Sequence, residues 1–121
     1  MNDKFKITKE TKLFILNLND FIINVPRKDY IIRNKLYDTS LDLLYKIYLA
    51  NNTKDNKLKL TIQTEIVSQI SLIDYYIEHS YINKYINEKQ CLKKINHLNK
   101  IRNMIYGWIN ASKTNWYNKH I

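Results

Sequence analysis

CLKKINHLNKIRNMIYGWI, residues 91–109, decides the fold. Cys91, Ile95, Leu98, Arg102, Ile105 and Ile109 follow one another at separations of four, three, four, three and four, the repeat of a helix that buries one stripe against a bundle. Upstream, Asn87 with Gln90 three residues later has the form of a capping box that opens this helix. The same periodicity recurs three more times. Thr8 caps a first helix carrying Phe14, Leu18, Phe21, Ile22 and Val25. A second carries Leu36, Ser40, Leu43, Ile47 and Ala50, and a third Leu58, Ile62, Ile66, Ile70, Ile73, Ile77 and Ser80. The expected elements are helices over about 8–24, 26–52, 57–82 and 87–112 with a frayed or partner-ordered tail over 113–121. Four helices of about 24 residues, each roughly 36 Å long with short connections, predict a single all-α domain, an antiparallel up-down-up-down four-helix bundle.

Composition agrees. The 121 residues hold one glycine and one proline, too few for the turns of a β fold or for a phosphate-cradling loop. Pro26 falls where the first helix must stop. It pushes Val25 out of helical geometry and suits a first turn, so one residue ends one helix and begins the next, with Asp29 placed near the positive end of the new helix dipole. The single Cys91 cannot form an internal disulfide and reads as a small core residue. Apolar runs such as LFILNLNDFIINV fall short of the roughly 20 residues a membrane span requires. Without a signal-like N-terminus the expectation is a cytoplasmic chain with no membrane contact.

Catalytic patterns are missing. His79, His97 and His120 have no spacing that converges on a metal, and no acid is followed three residues later by histidine. The acidic pairs Asp38 with Asp42, and Asp74 with Glu78, lie one helical turn apart and more commonly answer neighbouring lysines than hold a cation. A non-enzyme without cofactor or metal is expected.

Charge is the informative feature. Lysine and arginine number 20 against 11 acids, giving +9, and the excess is uneven: residues 84–121 carry eight cations and Glu88 alone as acid. Such a field favours a polyanion. Lys89, Lys93, Asn96, His97, Lys100 and Asn103 share one face of the last helix, and Lys94 and Lys113 add to it. Arg102 stands inside the apolar stripe, so it requires an acid from a neighbouring helix, another subunit or a water-filled channel. At the other candidate surface, NVPRKDYIIRNK (24–35), Arg27 and Lys28 flank the turn at one end of the bundle, while Arg33 and Lys35 point in different directions. Gly107 beside Trp108 suggests a close approach of backbone or ring, with Trp108 itself a core residue or, less simply, a ligand contact. Ten tyrosines, including Tyr75, Tyr76, Tyr81 and Tyr85, suit either core boundaries or stacking on single strands.

Two blocks carry a family resemblance. NVPRKDYIIRNKLYDTSLDLLYKIYLAN and, after two further amphipathic helices, MIYGWIN resemble Avd, the accessory variability determinant of diversity-generating retroelements, chiefly through Pro26, Arg27, Arg33, Gly107 and Trp108. The wider superfamily includes four-helix proteins encoded in ribosomal-RNA intervening sequences. The resemblance implies a homopentameric barrel that binds a reverse transcriptase and its template RNA or cDNA without catalysing anything. Five such chains would carry five times the +9 of one. This chain has Asp74 and Glu78 in SLIDYYIEHS where relatives carry leucine–arginine repeats, and Tyr106 where they have a small residue. Nucleic-acid contact is therefore expected at Arg27, Lys28, Arg33, Lys89, Lys93, Lys94, Lys100, Arg102 and Lys113. The alternative is a structural, protein-interaction bundle of the intervening-sequence type.

Overall fold

The computed structural model describes residues 3–120. The chain is helical almost throughout: α1 (Asp3–Leu16), α2 (Leu18–Ile22), a 3-10 turn (Arg27–Asp29), α3 (Tyr30–Asn52), α4 (Asn56–Ile82) and α5 (Glu88–His120). There is no strand among the described residues. Counting α1 and α2 as one interrupted rod, four helices surround one core.

That core is built from seams with a three-and-four spacing. Ile7, Thr11, Phe14, Leu18, Phe21 and Val25 supply the first rod, Leu36, Ser40, Leu43, Ile47 and Ala50 the second, and Ile62, Ile66, Ile70, Ile73, Ile77 and Ser80 the third. Each fully buried Leu, Ile or Phe contributes about 1.5–3 kcal/mol, which is why the seams dictate the pairing of the rods. The buried hydroxyls do not break them. Thr11 donates to Ile7 O at 2.8 Å, Ser40 to Leu36 O at 2.7 Å and Ser80 to Tyr76 O at 2.9 Å, each returning to its own helix one turn back.

Several boundaries differ from expectation. The first rod begins by Asp3, so Thr8 lies inside α1 and not at its N-terminal cap. It also breaks at Asn17, whose carbonyl accepts from Lys94 Nζ at 2.9 Å, a side chain inserted into the helical ladder. Pro26 is extended (φ −67°, ψ 157°) and precedes a 3-10 turn, so it ends the first rod without entering the next helix. Asp29 caps no backbone amide. Helix α4 starts one residue early because the Asp55 carboxylate accepts from Leu58 N at 2.9 Å, and Leu58 is half-exposed rather than core. The capping box at α5 is present, with Asn87 N to Gln90 Oε1 at 2.9 Å and Gln90 N to Asn87 Oδ1 at 2.8 Å. Beyond it α5 runs to His120, so residues 113–120 are helix and not a frayed tail.

The seam of α5 is also phased differently. Cys91, Lys94, Leu98, Ile101, Ile105 and Trp108 are buried, with Ile109 at the edge, which moves Arg102 off the seam and puts Lys94 in it. Cys91 is core, and burial pushes its thiol above the usual range. Gly107 is exposed, and a β-carbon there would meet nothing within 4 Å, so no packing demand within the chain explains it. Trp108 is 4% exposed and fills the core.

Candidate nucleic-acid interface

The expected cations fall into separate groups. Arg27 and Lys28 are exposed in the 3-10 turn, and Lys89 and Lys93 are exposed on the first turns of α5. These two places meet through one carboxylate. Asp29 Oδ2 accepts from His79 Nε2 at 3.0 Å and from the Tyr85 hydroxyl at 2.8 Å, tying the turn before α3 to the turn between α4 and α5. The His79 hydrogen bond, aided by Tyr85, holds the Asp29 carboxyl below its usual range, and the same carboxylate pushes Tyr85 up. The result is one end of the molecule carrying Arg27, Lys28, Lys89 and Lys93.

Sequence reading missed a fifth member, Lys84. It is exposed in the turn between α4 and α5, which the Tyr85–Asp29 bond ties to the turn bearing Arg27 and Lys28. Its backbone is left-handed (φ 63°). The cause is the close of α4: Tyr85 N returns to Ser80 O and Lys84 N to Tyr81 O, both at 2.9 Å, a helix ending that glycine usually serves. Only its position could have signalled it, since YINKYIN contains no glycine to mark the site.

The remaining expected contacts are placed elsewhere. Lys94 is 9% exposed and spent on the Asn17 carbonyl; burial, with Lys93 nearby, lowers its pKa. It does not face solvent as a phosphate contact must. Lys100 is exposed, but its ammonium sits 3.0 Å from Glu10 Oε1, and His97 Nε2 takes the other Glu10 oxygen at 2.9 Å. Those two bonds, Lys100 first, hold the Glu10 carboxyl below its usual range. His97 also meets Phe14 edge-on at 5.6 Å between ring centres, so α1 covers part of the face expected to be free. Arg102 is bound by Asp74 of α4 and by Asn99, which resolves it as an internal ion pair and removes Asp74 from any cation-holding role with Glu78. Asp42 likewise answers Lys46 at 3.6 Å and Gln69.

Lys113 is exposed some 36 Å along α5 from Lys89 at 1.5 Å per residue, beside Lys57, Leu60 and Tyr117 at a 440 Å³ cleft. Arg33 is half-buried in a different groove, between α2 and α3. Of the tyrosines, Tyr76 is core, Tyr85 serves Asp29, and Tyr75 and Tyr81 are exposed. No group of three or more His, Cys, Asp or Glu is arranged to hold a metal among the described residues, and no helix there is long and apolar enough to cross a membrane.

Comparison of the chain with protein families, with characterised proteins and with solved structures gave no match. The family resemblance therefore rests on the quoted residues alone.

Proposed function

We propose that this protein is a non-enzymatic, basic helical bundle that binds RNA or single-stranded DNA through the end bearing Arg27, Lys28, Lys84, Lys89 and Lys93. One observation carries the reading. These five cations are exposed and, among the described residues, none forms a salt bridge; Asp29 beside them is taken by His79 and Tyr85, which leaves the exposed Glu78 and Glu88 as the acids that oppose them. Lysine meets phosphate as a mobile point charge, so such an end gives affinity that is strong at low salt and nearly indifferent to base sequence.

The bundle is read as antiparallel. Asp42 meets Gln69 while Lys46 meets Glu65, and Gln63 meets Ser112 while Asp74 meets Arg102, so partners fall in number along one helix as they rise along the other. The resemblance to Avd adds the role: an accessory subunit of a retroelement, working with a reverse transcriptase and its template RNA or cDNA as a homopentamer. Assembly is supported by an uncovered stripe of Leu41, Tyr45 and Tyr48 on α3 beside Leu13 and Leu16 on α1, all 39–72% exposed, with Lys12 lying over the Tyr48 ring at 5.8 Å. That stripe equally favours the second reading, a protein-interaction bundle of the intervening-sequence type whose lysines serve solubility.

Glutamine replacements separate the two. Lys89→Gln and Lys93→Gln each lower the salt slope of single-stranded RNA binding by about 0.7, whereas Lys100→Gln, whose charge is already shared with Glu10, changes it little. Equal RNA retention by all three variants and the parent would favour the interaction bundle.

A further inference from the structure

The groove between α2 and α3, about 310 Å³, is at the small end of ligand pockets, which run from roughly 300 to 1,000 Å³. Tyr30, Arg33 and Tyr37 follow at separations of three and four and so share one face of α3, with Asn34 beside them and Asn19 of α2 opposite. Arg33 is half-buried, yet among the described residues no carboxylate or carbonyl takes its guanidinium. This differs from Arg102, which has both an acid and an amide. A guanidinium at the wall of a groove with no acid of its own is open to an incoming anion, and its planar fork suits a phosphate or carboxylate. Exposed rings at Tyr30 and Tyr37 flank it.

Asp38 also lines the groove. Its carboxylate repels a bare phosphate, so the ligand that satisfies the whole groove is anionic at one point and a hydrogen-bond donor at another. A nucleotide with an exocyclic amine has both: a phosphate for the arginine fork, a base face for a tyrosine ring, and an amino group for the acid. The groove also adjoins the basic end, since Arg27 and Lys28 precede Tyr30 by only two or three residues.

We propose that the α2–α3 groove is a subsite for one unpaired, amine-bearing nucleotide of a bound single strand, with Arg33 on its phosphate, Tyr30 and Tyr37 against its base and Asp38 accepting from its exocyclic amine. The subsite rests on the nucleic-acid reading above and adds a base preference that the lysines cannot supply.

The test is fluorescence anisotropy with short oligocytidine and oligouridine, whose bases differ at the amine. The parent is expected to bind oligocytidine about threefold to tenfold more tightly, the worth of one hydrogen bond. Asp38→Ala abolishes the preference. Arg33→Lys, which keeps the charge, weakens both oligomers and leaves the salt slope unchanged, with helicity checked by circular dichroism. Equal affinity of the parent for the two oligomers, or an Arg33→Lys variant that binds like the parent, overturns the subsite while salt-dependent RNA binding stands. Failure of the parent to bind either oligomer at low salt overturns the subsite together with the reading it rests on. Displacement of RNA by oligoglutamate from the parent but not from Arg33→Lys would assign the groove to an acidic protein partner and overturn the nucleotide.

Discussion

Lys84 holds a left-handed backbone that a β-carbon disfavours, at the position where a helix closes over its own last carbonyls. Replacing it should therefore stabilise the fold while weakening the proposed function. Lys84→Gly is expected to raise the free energy of unfolding by about 0.5–1 kcal/mol in chemical denaturation, and to reduce RNA affinity measured on the same preparation. A loss of stability would mean that the lysine side chain is part of the packing. Lys94 shows the opposite relation between charge and position. Directly after exposed Lys93 in the second turn of α5, it is drawn under the first rod and interrupts that rod at Asn17. From sequence the two lysines at 93 and 94 were indistinguishable, because Ile95 marks one phase of the seam and Ile101 another, and only the second buries Lys94. Arg102 was anomalous on the expected stripe, and moving the seam to Ile101 places it at the edge, with about a fifth of its side chain exposed and Asp74 as partner.

At the scale of elements, two carboxylates fasten rods that are far apart in sequence: Glu10 joins α1 to α5, and Asp29 joins the turn before α3 to the end of α4. Both carboxyls are held below their ordinary values, by Lys100 and His97 in one case and by His79 and Tyr85 in the other. The stability they confer is thus fully present above the unfolded-state values, 4.5 for Glu10 and 3.8 for Asp29, and is lost as pH falls through the lower folded-state values. Thermal midpoints of the parent should be insensitive to these groups above about pH 5 and fall below pH 4, and Asp29→Asn with Glu10→Gln should flatten that acid limb. An unchanged limb in the double variant would show that other carboxylates govern it. The helices themselves were legible because their seams repeat over several turns, and the Asn87–Gln90 box marked the start of α5 to the residue. Ends without such marks were not. Residues 113–120 contain no breaker, so the helix continues through a stretch whose polarity suggested a tail, and Asp29 was read as serving its own helix when His79, 50 residues away, takes it instead.

For the whole molecule the sign and unevenness of the charge were visible in the sequence, but not its location. Counting cations on α5 gave a face; folding divides that face among α1, the core and one open end, and recruits Lys84 from a turn that carried no motif. The bundle thus sets exposed Arg27, Lys28 and Lys84 on two turns clamped together by Asp29, with Lys89 and Lys93 on the helix that follows and the Arg33 groove on the helix after the first turn. The most direct test is the affinity of the intact protein for a mixed-sequence single-stranded RNA as salt is raised. Five phosphate contacts predict a logarithmic slope near −3.5, falling toward about −0.7 when Arg27, Lys28, Lys89 and Lys93 are all changed to glutamine. A slope near zero in the parent, or one that the four substitutions leave untouched, would contradict the assignment of nucleic-acid binding to this end of the bundle.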